Sequence, residues 1–122
     1  MTSANHRHRV LVVEDDGLIA ADMADVLINA GYDVVGPSGV VADALALLET
    51  VGCDIAVLDI NLGWDTSEAV ACSLRDRGTP FLVVSGYTVL QSPAVFHDAP
   101  RLSKPVSDTT LILNVAKLAA KH

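Results

Sequence analysis

Basic and aromatic side chains are scarce in this sequence. Its 122 residues include 8 Lys and Arg against 15 Asp and Glu, so the formal net charge is −7 at pH 7. A surface that binds nucleic acid phosphates needs a basic face. A surface that stacks bases needs aromatic rings, and these make up only 4% of the chain. Both deficits exclude nucleic acid as the expected partner.

Long apolar runs and cysteines at metal-ligand spacing are also missing. No run approaches the ~20 residues that span a bilayer, and the opening MTSANHRHRV leads into no signal-peptide core. We therefore expect no contact with a membrane. Cys53 and Cys72 lie in apolar segments, which predicts two reduced core thiols in a cytoplasmic protein. We expect one domain over 9–122, after a disordered tail at 1–8.

Short β-branched runs alternate with longer stretches of helical periodicity. The strand-like runs are 9–14, 32–37, 53–59, 80–85 and 101–103. The helical stretches are 18–30, 41–48, 66–76 and 111–119. Pro37 is predicted to stop the second strand, Gly31 to end the first helix and Ser107 to cap the last. The region 86–98 contains Pro93 and few helix signals, so a helix there would be short or irregular. The alternation predicts an α/β fold with a parallel sheet covered on both faces.

Polar and charged side chains follow four of these strands. They are Glu14, Asp15 and Asp16 after the first strand, Asp59 after the third, Ser85 after the fourth and Lys104 after the fifth. Ligand sites of open parallel sheets lie at the carboxyl ends of the strands. Two carboxylates ~4 Å apart repel by about 4 kcal/mol at an effective dielectric constant near 20. A cation between them relieves this repulsion, and hard oxygen ligands favour Mg²⁺ or Mn²⁺.

Local context distinguishes two of these side chains from the others. Asp16 directly precedes the first helix, so we expect it to be the N-cap rather than a metal ligand. Lys104 precedes Pro105, which biases the lysine backbone towards an extended conformation and directs its side chain. A directed ammonium, a hydroxyl and a metal can together hold a phosphoryl group. Asp59 could then be the nucleophile, because carboxylates form acyl phosphates.

Four motifs resemble the receiver domain of two-component response regulators. They are VLVVEDD, AVLDINL, VVSGY and LSKP, and they occur in this order over about residues 9–120. The resemblance implies a flavodoxin-like, CheY-like fold, a doubly wound (βα)₅ parallel sheet in strand order 2-1-3-4-5. It also implies a phosphoacceptor signalling protein that is no enzyme beyond its own phosphorylation and dephosphorylation.

The resemblance assigns a role to each matching residue. Asp59 is the phosphoacceptor and a Mg²⁺ ligand, Asp15 is a direct ligand, and the backbone carbonyl of Asn61 is the third protein ligand. Glu14 assists the metal through water.

Two further residues receive roles around the phosphoryl group. Ser85 is the switch hydroxyl, and Lys104 pairs with the group. The donor implied is a histidine kinase or a histidine phosphotransfer protein. We expect a stand-alone receiver, since the final helix runs to the C-terminus. Such a receiver would signal to an unknown downstream protein or pass the phosphoryl group on.

The chain departs from the common receiver pattern near its switch region. Arg101 stands three residues before Lys-Pro, where many receivers carry Tyr or Phe. The runs PFLVVSGY, DINLG and SKPV are similar to the alphaproteobacterial subfamily called FATGUY. Tyr87 is then a switch or partner-contact residue, or else an exposed loop tyrosine. Trp64 is either a packing lid or a residue flanking the site. We interpret the four histidines as surface residues: His6, His8, His97 and His122.

Two other functions compete with the receiver. A phosphorylation-independent, receiver-like binding module would usually lack one member of the set formed by Asp15, Asp59, Ser85 and Lys104, but all four are present. A haloacid-dehalogenase-like phosphatase usually carries a second acid two residues after its nucleophile. Here that position is Asn61, so the general acid is missing.

Overall fold

A computed structural model describes residues 7–86 and 92–120. Strands and helices alternate along these residues, as the sequence predicts. The elements in chain order are β1 (Arg9–Val13), α1 (Gly17–Asn29), β2 (Asp33–Ser38), α2 (Val41–Thr50), β3 (Ile55–Asp59), β4 (Asn61–Leu62), β5 (Asp65–Thr66), α3 (Glu68–Asp76), β6 (Phe81–Ser85), a 3₁₀ turn (Ala94–Phe96), β7 (Arg101–Ser103) and α4 (Asp108–Ala120). Within 7–86 and 92–120, the longest helices, α1 and α4, have 13 residues each, so none of the described helices could span a bilayer.

Five of the strands form one parallel sheet in the order β2-β1-β3-β6-β7. Counted within this sheet alone, the order is 2-1-3-4-5, so the expected doubly wound topology is confirmed. One core cluster packs side chains of α2 and α3 against the sheet, and a second packs side chains of α1 and α4. Helices therefore cover both faces, and all five residues of β3 are buried. Each buried Val, Leu or Ile contributes roughly 1.5–3 kcal/mol.

Local signals end and begin the helices where the sequence predicts them. Gly31 follows α1 with φ of 100°, a conformation that glycine adopts without strain. Its N–H donates to the Ile28 carbonyl at 3.0 Å, and the next N–H, of Tyr32, donates to the Leu27 carbonyl at 3.0 Å. These two bonds form a Schellman motif that satisfies the last carbonyls of α1. At the start of α4, the Thr110 N–H donates to Ser107 Oγ at 3.1 Å, which confirms the predicted cap.

Pro37 does not stop β2, contrary to the prediction. The strand continues to Ser38, and the Gly36–Pro37 peptide bond is cis. The pairing with β1 shifts register between Leu11 and Val13, as at a β-bulge. A proline is tolerated here because β2 is the edge strand of the sheet, where its missing N–H breaks no second ladder.

The region predicted to hold a short or irregular helix contains the 3₁₀ turn at Ala94–Phe96. Phe96 is fully buried in the core, so this turn is anchored despite its length. Residues 87–91 lie outside the described residues, and the interpretation of Tyr87 falls there. The predicted tail also lies mostly outside them, since the description begins at residue 7.

The prediction that both cysteines are core thiols is wrong for one of them. Cys53 is half-buried and packs against the core, whereas Cys72 is exposed. The reason is the helical period of α3, which buries Val70, Ala71 and Leu74 and turns position 72 outwards. Both thiols are free.

Candidate functional site

Three carboxylates meet at the carboxyl end of the sheet, as the strand ends predict. One oxygen each of Glu14, Asp15 and Asp59 lies within 4.8 Å of the others. Glu14 and Asp59 are buried, at 2% and 6% exposure, while Asp15 is exposed. β1 and β3 are adjacent parallel strands, which brings their carboxyl ends side by side. The cluster therefore has two members within the protein and one that faces solvent.

Lys104 reaches this cluster from the loop after β7. Its Nζ atom donates to Asp59 Oδ2 at 2.9 Å and forms an ion pair with Glu14 Oε1 at 2.7 Å. The Lys104 N–H also donates to the Ser85 carbonyl at 3.2 Å, which ties the start of this loop to β6. The directed lysine that the Lys-Pro pair predicts is thus present at the site, and the Lys104–Pro105 bond is cis.

The electrostatic environment of Lys104 favours its charged form. Partial burial of the ammonium lowers its pKa, but the hydrogen bonds to Glu14 and Asp59 raise it by more. The net result is a pKa above the ordinary value of lysine. Lys104 therefore stays a cation at neutral pH and compensates part of the negative charge of the cluster.

Glu14 is held on both of its oxygens. Oε1 pairs with Lys104, and Oε2 accepts a hydrogen bond from the Asp16 N–H at 3.1 Å. The ion pair with Lys104 offsets part of the cost of burying this carboxylate. The arrangement is compatible with the indirect, water-mediated role predicted for Glu14.

Asp16 occupies the N-cap position that the sequence predicts. Its Oδ1 atom accepts from the Leu18 N–H at 3.0 Å and from the Ile19 N–H at 3.2 Å. Two of the unpaired amides at the start of α1 are thereby satisfied. The side chain is engaged at the helix end, apart from the three clustered carboxylates.

Ser85 lies at the end of β6, buried at 1% exposure. In the register of β3 with β6, Asp59 is opposite Val84, so Ser85 is one residue beyond the acceptor position. Its own partner on β7 is Ser103, directly before Lys104. The structure thus brings the predicted hydroxyl to the same edge of the sheet as Asp59 and Lys104.

The segment after Asp59 is a small hairpin, whereas the sequence pattern predicts only a polar loop. β4 and β5 pair antiparallel, with Asn61 opposite Thr66. Gly63 has φ of 68° at the first position of the two-residue turn, the conformation that a type II′ turn requires there. The Asn61 N–H donates to Asp59 Oδ1 at 3.3 Å. Trp64 at the tip is fully exposed, so it is no packing lid but a residue flanking the site.

Ser67 closes this hairpin at its base, and no motif in the sequence points to it. The side chain is fully buried, and its Oγ donates to the Asp59 carbonyl at 2.6 Å. The Ser67 N–H donates to the Ile60 carbonyl at 2.9 Å. A lone serine before a helix gives no signal of such a contact, because the contact depends on how the hairpin folds back.

Gly39 brings the loop after β2 against the acidic cluster. A Cβ atom at this position would lie 2.9 Å from Asp15 Cα and 3.3 Å from the Glu14 carbonyl oxygen. Only glycine permits this close approach, since nothing larger than hydrogen fits. The backbone that carries the two acidic residues is therefore packed from one side.

The donor set fits a hard divalent cation. Three carboxylates face one ammonium, which leaves an excess of negative charge around a shared space. Oxygen donors, with one exposed face for retained water, are what Mg²⁺ and Mn²⁺ prefer. The shallow cavity beside them is also lined by Asn61, Gly63 and Gly86. The residues predicted to hold the metal are thus together in the fold.

Arg101 and Arg75 hold the segment that precedes β7. Arg101, on β7, donates to Ser92 Oγ at 2.9 Å. Arg75, on α3, donates from Nε and Nη2 to the Val95 carbonyl at 3.2 and 2.9 Å and forms an ion pair with Asp98. Two arginines therefore fix residues 92–98. The sequence marks Arg101 as a departure from the family pattern but gives no sign of the role of Arg75.

Two of the predicted surface histidines lie within the described residues. His97 is exposed and within 2.8 Å of the Ser92 carbonyl through Nε2, while His8 is partly exposed. Neither belongs to the acidic cluster. His6 and His122 lie outside the described residues.

Comparison with known proteins finds similar sequences among bacterial regulators. No family model matches the chain. The transcriptional regulatory protein PdtaR of Mycobacterium tuberculosis is 30% identical over 111 residues, which are 85% of this chain and 53% of that protein. The chain thus spans about half the length of this curated relative.

Solved structures match over nearly the whole chain. SdrG from Sphingomonas melonis Fr1 is 35% identical, with a TM-score of 0.79, over 93% of this chain and 97% of that one. The CheY-like response regulator receiver domain protein from Methanospirillum hungatei JF-1 is 26% identical, with a TM-score of 0.81, over 95% of this chain and 97% of that one.

Proposed function

Because the chain belongs to the family of CheY-like response regulator receiver domains, we propose that it accepts a phosphoryl group on Asp59. The observation that carries the proposal is the contact of Asp59 with Lys104 beside two further carboxylates. A buried aspartate that faces both an ammonium and a cluster suited to a cation has the surroundings that a phosphorylated carboxylate needs.

The proposed reaction is a transfer between two proteins. A carboxylate oxygen of Asp59 forms a bond to the phosphorus of a phosphohistidine, and the bond from phosphorus to the imidazole nitrogen breaks. The histidine keeps the electron pair, takes up a proton and leaves as neutral imidazole. The donor is a histidine kinase or a histidine phosphotransfer protein. The chain catalyses its own phosphorylation and dephosphorylation and no other reaction.

Lys104 and Ser85 would bind the new group. Lys104 already touches Asp59 Oδ2, so its ammonium can pair with a phosphoryl oxygen after a small displacement. Ser85 is one register position beyond Asp59 and can donate its hydroxyl proton to a second oxygen. Both residues thereby neutralise charge that the transfer brings into the site.

We propose Mg²⁺, or Mn²⁺, as the cofactor of this site. Asp15, Asp59 and the Asn61 backbone carbonyl would hold it, and Glu14 would act through water, the role that the receiver resemblance implies for it. When bound, the ion supplies positive charge next to the transferred group. The chain's own contribution is to hold these oxygens together, through adjacent strands and through the hairpin after Asp59.

Phosphorylation is proposed to shift the region from Ser85 to His97, together with the face formed by β7 and α4. Arg101 replaces the aromatic residue of the usual switch and bonds Ser92 instead. We propose that the chain belongs to the FATGUY subfamily and that Tyr87, outside the described residues, takes part in the switch. Unchanged hydrogen–deuterium exchange over 92–98 after phosphorylation would contradict this part of the proposal.

The signal is proposed to leave by contact with a downstream protein or by onward transfer of phosphate. Nucleic acid is not proposed as a partner, because basic residues are few. A cytoplasmic location is proposed, where the free thiols Cys53 and Cys72 would stay reduced.

Trp64 provides a direct test. It is the only tryptophan, fully exposed on the hairpin that follows Asp59. We expect its emission to change when Mg²⁺ is added, and again on adding beryllofluoride or acetyl phosphate. Asp59→Asn should abolish the second change. If wild type responds to neither addition, the receiver-like binding module becomes the better function.

A further inference from the structure

Ser67 joins the base of the hairpin after Asp59 to the strand before it. Ser67 donates its hydroxyl proton to the Asp59 carbonyl at 2.6 Å and its N–H to the Ile60 carbonyl at 2.9 Å. Both contacts lie at the point where the hairpin leaves the sheet. The side chain is fully buried, so water cannot replace the hydroxyl without a rearrangement.

Asp59 and Asn61, which lie within the segment closed by Ser67, are both needed for the proposed site. Asp59 contributes its carboxylate to the acidic cluster and to Lys104. Asn61 donates its N–H to Asp59 Oδ1 and pairs with Thr66 across the hairpin. Hydrogen bonds therefore connect Ser67 to Asp59 and Asp59 to Asn61, and Asn61 pairs across the hairpin with Thr66, the residue next to Ser67.

We propose that Ser67 is a positioning residue that sets the geometry of Asp59 and Asn61 for cation binding and phosphorylation. The inference rests on the proposed receiver function. Ser67 acts through the Asp59 backbone, since its contact is to the carbonyl oxygen and not to the carboxylate. Removal of the hydroxyl leaves a buried carbonyl without this donor and loosens the base of the hairpin.

A substitution of Ser67 should weaken cation binding more than a substitution elsewhere that lowers the free energy of unfolding by the same amount. The loss of one buried hydrogen bond corresponds to roughly a fivefold change in an equilibrium constant. Because the hydrogen bond tethers the hairpin, that change should appear in cation affinity. Trp64 at the hairpin tip should gain mobility at the same time.

The test compares Ser67→Ala with Leu118→Ala in the full chain. Leu118 is buried in the last turn of α4 and does not line the acidic cavity, so its truncation costs stability only. Ser67→Cys is a second variant that fills nearly the same space with a weak donor, in case Ser67→Ala does not fold. Three readouts are taken for each protein: the Mg²⁺ dissociation constant by calorimetry, Trp64 anisotropy, and the rate of phosphorylation by acetyl phosphate.

We expect Ser67→Ala to bind Mg²⁺ about fivefold more weakly than wild type and to show lower Trp64 anisotropy. Its phosphorylation should be slower, while Leu118→Ala matches wild type in all three readouts. Mg²⁺ affinity within twofold of wild type, or the same loss in Leu118→Ala, would overturn the inference. The wild-type reaction separates the two proposals: if wild type is not phosphorylated, the proposed function fails. If wild type and Ser67→Ala are phosphorylated alike, only the positioning role fails.

Discussion

Lys104 and Asp59 are 45 residues apart in sequence and in direct contact in the fold, with 2.9 Å between Nζ and Oδ2. The same Nζ atom lies 2.7 Å from Glu14 Oε1. One ammonium thus compensates two buried carboxylates at the carboxyl end of the sheet. Without Lys104 the negative charge of the carboxylates would be uncompensated, and even with Lys104 present the site keeps an excess of negative charge.

Removal of the ammonium should destabilise the fold. We expect Lys104→Met to lower the free energy of unfolding by about 2 kcal/mol, because two buried carboxylates lose the ammonium that pairs with them. Urea unfolding measures this loss, and Lys117→Met, which changes an exposed lysine of α4, is the control with little effect. Mg²⁺ should restore part of the loss in the Lys104 variant. Equal stability of the two variants would contradict the assigned role.

Asp16 should matter for helix stability rather than for cation binding. Asp16→Ala removes the acceptor of two N–H groups at the start of α1, and we expect a loss of about 1 kcal/mol. Asp16→Asn retains a capping oxygen and should lose less than half of that. Thermal unfolding gives both values, and Mg²⁺ titration gives the affinity, which should stay within twofold of wild type in Asp16→Asn. A tenfold loss of Mg²⁺ affinity in Asp16→Asn would indicate instead that Asp16 is a metal ligand.

The two thiols should differ in reactivity. Burial is the main cause that raises the pKa of Cys53 to about 11, whereas Cys72 is exposed on α3. At pH 8 we expect iodoacetamide to modify Cys72 at least tenfold faster, because the thiolate is the nucleophile. Peptide mass spectrometry identifies the modified residue, and urea should remove the difference. Faster modification of Cys53 in the folded protein would be the contrary result.

The same shift makes stability depend on alkaline pH. The folded-state pKa of Cys53 lies above its ordinary value of 9.0. Its contribution is therefore fully present below pH 9 and is lost as the pH rises towards about 11. Cys53→Ala should show a shallower decline of unfolding free energy over this window than wild type, and parallel declines would refute the assignment.

Arg75 should hold the segment before β7. Its guanidinium bonds the Val95 carbonyl, pairs with Asp98 and lies over the Phe81 ring, 5.3 Å from its centroid. Arg75→Ala should speed amide exchange over 92–98 several-fold, while Arg77→Ala, which removes a surface pair with Glu49, should not. Hydrogen–deuterium exchange over residues 92–98 is compared between the two variants. Equal exchange in both variants would leave Arg75 without this role.

Much of the fold follows from short-range patterns. The period of apolar residues places the sheet strands and the four helices, and Gly31 and Ser107 mark helix ends through local hydrogen bonds. The members of the acidic cluster follow from one topological rule, that the ends of parallel strands meet. That β1 and β3 are neighbours, which groups Asp15 with Asp59, follows from the receiver resemblance rather than from the order of the strands along the chain.

The features that the sequence does not reveal depend on tertiary context. The hairpin at β4 and β5 has only two residues in each strand, too few for an alternating pattern. The roles of Ser67 and Arg75 depend on backbone carbonyls that are 8 and 20 residues away in sequence, at the end of β3 and in the 3₁₀ turn. The prediction for Cys72 is wrong because an apolar segment does not indicate which side of a short helix is buried.

The central claim, that Asp59 accepts phosphate, is tested most directly by the mass of the protein. Wild type and Asp59→Asn are incubated with Mg²⁺ and acetyl phosphate, and intact mass is followed by borohydride trapping and peptide mapping. The account predicts one added phosphoryl group in wild type, located at Asp59, with loss of the signal when Mg²⁺ is chelated and in Asp59→Asn. No mass gain in wild type, or an equal gain in Asp59→Asn, would contradict it.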